Sequence, residues 1–231
     1  MPEPIPVPSP TLPDAALELW RFIAPAAMRV PVFPDGCRDL IVSIAPGAAP
    51  ACFVSALADG ADAPAFAAGQ HVIGVRMRAG AQFDEAAVLA LLGRCDGFDD
   101  ADLLAAIDAT VRIDARVQEA LACLAAMPVP SRLDAAHARL GVSERSLERL
   151  LRARTGRGPL YWKNLARARR CARALSADAA ASGTLSGLAA EHGYADQAHM
   201  TRDMRRWFGA APSRIRLEPE RFATLSALGH G

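Results

Sequence analysis

The string "SERSLERLLRARTGRGP", Ser143 to Pro159, returns in altered form 53 residues later as "DQAHMTRDMRRWFGAAP", Asp196 to Pro212. Under that offset Leu147 aligns with Met200 and Leu151 with Met204, so each copy carries an i, i+4 apolar pair. Arg149 aligns with Arg202, Arg152 with Arg205, Gly156 with Gly209 and Pro159 with Pro212. Apolar residues on one side, arginines on the other and a glycine stop describe an amphipathic helix. A shorter helical stretch and a glycine precede each copy: Leu133 to Leu140 before Gly141, and Thr184 onward before Gly193. Two helices joined by a tight glycine-containing turn make a helix-turn-helix. The C-terminal part is therefore expected to hold two such units, with Ser143 and Asp196 as N-caps of the longer helices. Pro159 can open a helix between them, with Leu165, Ala168, Ala172 and Leu175 inward.

A repeated arginine-rich helix asks for a partner with a repeat of its own. B-DNA supplies one: a helix fits its major groove, and successive groove segments recur about every 34 Å. Arginine suits both bidentate bonding to guanine and neutralisation of phosphate. The outward residues expected to contact DNA are Arg145, Ser146, Glu148, Arg149 and Arg152 in the first helix. Their counterparts in the second are Gln197, Ala198, Thr201, Arg202 and Arg205. Glu148 can accept from cytosine or brace Arg145 or Arg152 through helical pairing; the spacing leaves both open.

Charge separates the chain in the same place. Residues 1–130 hold 8 basic and 16 acidic side chains, a net −8; residues 131–231 hold 18 and 9, a net +9. A basic half fits a polyanion and an acidic half does not. We therefore expect an α+β fold in two parts. A small strand-rich sensor or dimerisation domain spans 1–112, and an all-α DNA-binding domain spans 113–231. In the first part "RVPVF", "DLIVSIAPG", "ACFVSAL" and "HVIGVRMRAG" have the length and β-branched content of strands. In the last of these, Val72, Gly74, Arg76 and Arg78 would share one face, and His71, Ile73, Val75 and Met77 the other. "DEAAVLALLGR" then turns helical, and from Asp99 onward the pattern stays helical, with Val117, Leu121, Leu124 and Met127 as a stripe.

The residues also resemble a known family. "LAAEHGYADQAHMTRDMRRWFGAAPSRIR" resembles the C-terminal signature of AraC/XylS-type transcriptional regulators. "GVSERSLERLLRARTGRGP" is similar to the first unit of the same domain, and "NLARARRCARAL" to its linking helix. The resemblance covers about residues 114–217 and implies a monomeric double helix-turn-helix module that binds double-stranded DNA along one face. His137 stands where the family usually has a small residue, and Met200 and Met204 replace the usual phenylalanines. Gly187 falls inside a helix, and Cys171 stands where the family has a small buried residue. "FPDGCRDLIVSI" with "HVIGVRMRAGAQF" resembles the short cupin-like sensor half of a subset of these regulators.

Three readings of "PDGCRDL" stay open: a Pro-Asp-Gly turn entering a strand, the lining of a ligand pocket, or a metal site with His71. The polar residues able to face a pocket are Cys37, Asp39, His71 and Arg76; alternation puts His71 and Arg76 on opposite faces unless a bulge intervenes. Five scattered cysteines, without a CxxC pair, fit neither a zinc cluster nor a disulfide framework. We expect no metal and no cofactor. With no phosphate loop, nucleophile elbow or carboxylate pair, we expect no enzyme. A DNA-repair enzyme fused to a regulator would need a cysteine-rich zinc centre, and a DNA-architecture protein without an effector would not need the acidic half. No apolar run approaches a membrane span. The proline-rich lead-in "MPEPIPVPSPTLPD" lacks the regions of a signal peptide and reads as a poorly ordered extension of a cytoplasmic protein. A small-molecule effector and a homodimer are the further partners expected.

Overall fold

The computed structural model describes residues 11–93, 98–127, 132–177, 183–226 and 229–230. Most of the lead-in, Cys95, the "PVPS" break and the middle of the "SADAAASG" loop lie outside them. The first half is built on an antiparallel sheet of four strands in the order β1 (Ala16–Ile23), β6 (His71–Met77), β3 (Asp39–Ile44), β4 (Ala51–Val54). Two short pairs flank it: β2 (Met28–Arg29) with β5 (Ala65–Phe66), and β7 (Gln82–Phe83) with β8 (Val111–Arg112). Helices α1 (Glu85–Leu92) and α2 (Asp100–Thr110) are capped by Asp84 and Asp99, whose carboxylates accept from the first turn. They cover the face of the sheet that presents Leu40, Val42, Ile73, Val75 and Met77. That is the face alternation assigns to β6.

The opposite face is organised by one missing side chain. A Cβ on Gly74 would lie 2.1 Å from the Trp20 ring of the neighbouring strand. The indole therefore lies flat across the glycine, and its Nε1 donates to Asp39 Oδ1 at 2.9 Å. The structure differs from the sequence reading at two places here. β1 is a strand that the sequence reading lacks, at the edge of the sheet beside β6, and Leu12, within the expected lead-in, packs on the core. Of "RVPVF" only Arg29 falls in a strand, β2, and Val32 makes an isolated bridge to Asp62, because Pro31 and Pro34 have no N–H for a ladder.

The second half starts with α3 (Ala115–Ala125), then α4 (Leu133–Leu140), α5 (Glu144–Thr155), α6 (Pro159–Ala177), α7 (Leu185–Glu191), α8 (Gln197–Phe208) and α9 (Pro212–Leu217); a short 3-10 segment, Pro219–Ser226, follows. The repeat is reproduced element for element. Both longer helices run 12 residues and end on left-handed glycines, Gly156 at φ 72° and Gly209 at φ 66°. The turns between the helices of each unit are made by Gly141 at φ 64° and Gly193 at φ 67°; only glycine adopts this region cheaply. Gly187 falls in the first turn of α7, where its N–H donates to the Thr184 cap at 3.1 Å. Ala136, next to His137, supplies the small buried contact in the first unit.

The two halves are not strung on a free linker. The turn Pro34–Cys37 enters the angle between α6 and the C-terminal tail. Pro34 O accepts from Arg169 and Asp35 O accepts from the His230 N–H at 2.7 Å. Phe33 stacks on Phe222 at 5.2 Å and meets Phe208 edge-on at 6.1 Å. A Cβ on Gly36, at φ 78°, would lie 2.8 Å from His230 Cβ and 2.9 Å from the Trp162 ring. A second loop reaches both units: Asp59 pairs with Arg157, Ala58 O accepts from Tyr161 at 2.7 Å, and Gly60 lies under Arg206 O.

This seam generates two expectations. Gly36→Ala should destabilise the full chain by more than the roughly 1–3 kcal/mol of backbone strain alone. Gly47→Ala, also at positive φ but with open space around its Cβ, should cost only the strain. Urea unfolding of the two variants separates the terms; equal losses would mean that the wedge does not bind. His230 is buried and its pKa is pushed down from 6.5 to about 4 by that burial. Its neutral form is favoured by folding, so its contribution is full above pH 6.5 and lost as pH falls towards 4. The wild-type advantage over His230→Gln should shrink across that window by up to about 3 kcal/mol.

Candidate nucleic-acid interface

Each longer helix is anchored by an N-cap that takes up an otherwise orphaned donor. Ser143 Oγ accepts from the Ser146 N–H at 3.2 Å, and Asp196 Oδ1 accepts from the His199 N–H at 2.6 Å. The apolar sides are sealed: Leu147 and Leu151 pack with Val117, Leu121, Leu124 and Trp162. Met200 and Met204 pack with Cys171, Ala172, Trp207 and Phe208. Sealing one side fixes what the other shows to solvent. Arg145, Arg149 and Arg152 are exposed on α5. On α8, Gln197, Ala198, Thr201, Arg202 and Arg205 line one open concavity.

Several of these side chains have local partners. Glu148 pairs with Arg152 one turn on, and its carboxylate lies against Gly158. Of the two roles left open for it, bracing is the one seen in the unbound chain. Ser146 is half-buried, with its hydroxyl 2.9 Å from that of Ser143. Thr201 Oγ1 donates back to Gln197 O at 2.8 Å. Arg154 points away from the arginine face altogether. It donates to Gln82 Oε1 at 3.0 Å and lies 3.6 Å from Asp114, on the side of the sheet-bearing half. The helical period carries the reason: two residues beyond Arg152 is about 200° around the helix.

The linking helix holds the two units together. Trp162, Leu165, Ala166, Ala168, Cys171, Ala172 and Leu175 are all fully buried along α6. Tyr161 bridges the units, 5.2 Å from the Trp162 ring and 5.4 Å from Trp207. Arg167 pairs with Asp203 of α8 at 2.6 Å and lies 4.3 Å over the Tyr194 ring of the turn before it.

Residues 137–218 match the family model for a helix-turn-helix domain. This is an AraC-type DNA-binding domain. It makes the chain a DNA-binding transcriptional regulator. Among solved structures, an AraC-type regulator from Chromobacterium violaceum is 23% identical, covering 49% of this chain and 95% of that one, with a TM-score of 0.40. A probable AraC family regulator from Rhodopseudomonas palustris is 23% identical, covering 46% and 98%, with a TM-score of 0.42. ToxT from Vibrio cholerae, bound to (E)-4-(8-methylnaphthalen-1-yl)but-3-enoic acid, is 10% identical, covering 87% and 97%, with a TM-score of 0.46. No curated protein matches the chain.

In the other half, the residues expected around a pocket divide. Arg76 Nε lies 3.3 Å from Asp35 and 3.4 Å from Asp39, and Arg76 Nη1 3.4 Å from Glu18. Cys37 is buried beside them, and its N–H donates to Asp35 Oδ1 at 2.8 Å. Burial, reinforced by Asp35, pushes the Cys37 thiol up, which removes thiolate reactivity. Burial likewise raises the Asp39 carboxyl, against the pull of Arg76 and Trp20. His71 stands exposed at the far end of β6. Asp35, Cys37, Asp39 and Arg76 thus converge, and His71 does not join them. Among the described residues no group of three His, Cys, Asp or Glu side chains could hold a metal, and no helix is long and apolar enough to cross a membrane.

The caps give a direct test of how the arginine faces are held. Ser143→Ala and Asp196→Ala should each lower stability by about 1 kcal/mol in urea unfolding. Each should also weaken DNA binding in anisotropy titrations, because the first turn that it anchors begins the exposed side on which the arginines lie. Unchanged affinity in both variants would show that these turns are ordered by the DNA itself.

Proposed function

We propose that α5 and α8 enter successive major-groove segments of one operator and that the sheet-bearing half modulates that binding. The observation that carries the reading is the matched build of the two units. Each has a glycine turn, a side-chain N-cap, a sealed apolar side and an open arginine side, and one buried helix joins them rigidly. Arg145, Ser146, Glu148, Arg149 and Arg152 contact one half of the site, and Gln197, Ala198, Thr201, Arg202 and Arg205 the other. Binding is an equilibrium act without bond chemistry, so the chain is a cytoplasmic regulator and not an enzyme. Domain limits of 1–112 and 113–231 fit the change of apolar cluster between Val111 and Val117.

Modulation through the first half is supported by its loops, which touch α6 and the ends of both units. An effector can alter DNA affinity only by binding two states of this assembly differently. A small-molecule effector and a homodimer are the partners through which such states would arise. Cys37, Asp39 and Arg76 would act in this scheme as the inner wall of the sensor half, with His71 at its open end.

Arg149→Ala and Arg202→Ala should each cost roughly 1–3 kcal/mol of binding and relax preference in different halves of the site, about one helical turn apart. Affinity should fall steeply with salt as counterions are released. The measurement is a selection from random duplexes, with titrations at several salt concentrations. Uniform weakening on all sequences would reduce both arginines to phosphate contacts, and no selected site for the full chain would overturn the reading.

A further inference from the structure

The two arginine-bearing helices differ at a pair of positions that decides how one arginine is held. Under the 53-residue offset Glu148 aligns with Thr201, and Gly158 with Ala211. Glu148 lies one turn before Arg152 and accepts from its Nε. The carboxylate also has a seat. A Cβ on Gly158 would stand 2.8 Å from both of its oxygens, so the missing side chain is what lets the carboxylate lie back along the helix. In α8 neither part of this arrangement is present. Thr201 donates its hydroxyl to Gln197 O at 2.8 Å, and Ala211 carries the Cβ that Gly158 lacks. The acidic residue of α8, Asp203, pairs with Arg167 at 2.6 Å, which leaves Arg205 without a carboxylate partner among the described residues.

The atoms left free decide the chemistry. The brace takes the Nε edge of the Arg152 guanidinium and leaves Nη1 and Nη2. Those two donors are the fork that bonds guanine O6 and N7 in the major groove. We propose that Glu148 is a positioning residue that aims this fork at a guanine, and that α5 is thereby the more discriminating of the two helices. The proposal rests on the groove reading above and deepens it.

The side chains of the pair are 66% and 40% exposed. An ion pair in that setting adds little to stability, so its effect falls on readout. An unbraced arginine such as Arg205 keeps its rotamers in the free chain and orders them only on binding. It can follow a phosphate as readily as a base edge. A braced arginine has given up that freedom before the DNA arrives, so less is lost on contact. The carboxylate also repels a phosphate oxygen that would draw Arg152 away from the base.

The test is a selection from random duplexes with the full chain. Titrations follow on the selected site, on that site changed at single base pairs, and on unselected duplex. The wild-type chain should select a site containing a guanine to which Arg152→Gln is indifferent. Glu148→Gln should relax preference at that same base pair by roughly three- to tenfold. The double variant should be no worse there than Arg152→Gln alone. Gly158→Ala displaces the carboxylate without altering a residue of the arginine face, and covers the case in which Glu148→Gln does not fold. It should relax the same position while leaving affinity for unselected duplex unchanged. In the reverse direction, Thr201→Glu with Ala211→Gly should sharpen preference in the half of the site read by α8. Relaxation by Glu148→Gln at a different base pair would mean that Glu148 reads a base itself, and overturns the proposal. Unchanged preference in both Glu148→Gln and Gly158→Ala overturns it too, as does uniform weakening by Arg152→Gln, which would make Arg152 a phosphate contact. In each of these outcomes the wild-type chain still selects its site; a wild-type chain that selects none fails the groove reading first, and the proposal with it.

Discussion

The burial of α6 is the constraint on which the rest of the molecule depends. Four of its fully buried residues, Ala166, Ala168, Cys171 and Ala172, are small, so neighbouring elements approach its backbone closely. Both helix-turn-helix units complete their cores against it, and so does the Pro34–Cys37 turn of the other half. That arrangement places one charge in the seam. Arg169 is almost completely buried, and burial lowers its pKa while Asp35 pulls it back up. A buried charge is tolerated only with partners. Here the Pro34 carbonyl and the Asp35 charge come from the sheet-bearing half, so the seam is specific for that turn and not merely adhesive.

The helix-turn-helix units were legible because their signals are local. Caps, left-handed glycines and proline starts act within four or five residues, and the 53-residue offset repeats them. The strands β3, β4 and β6 were legible for the same reason, through β-branched runs between turn residues. β1 was not: in "ALELWRFI" the apolar positions suit either period, and what makes it a strand is Trp20 lying on Gly74 more than fifty residues away. Local chemistry also gave the Pro-Asp-Gly turn its shape but not its partners. Nothing near Gly36 announces Trp162 or His230. Arg154, not among the residues expected to contact DNA, turns towards Gln82 and Asp114, about 200° around the helix from Arg152.

The charge asymmetry that pointed to DNA has a second use inside the molecule. Acidic residues of the first half face basic residues of the second in Asp59–Arg157 and Asp35–Arg169. The Asp59–Arg157 pair is largely exposed, and exposed pairs contribute about 0–1 kcal/mol each. They set orientation more than affinity. The apolar seam of Phe33, Gly36, Trp162 and Phe222 carries the larger share, since each large side chain withdrawn from water contributes roughly 1.5–3 kcal/mol.

Two kinds of force therefore act on the same domain with different dependence on salt. DNA is held largely by charge, which added salt screens and counterion release weakens. The sheet-bearing half is held largely by apolar contact, which moderate salt leaves intact. Raising salt therefore weakens the hold on DNA without loosening the seam between the halves. Helices α5 and α8 both take their positions from α6, the strut on which that seam also rests.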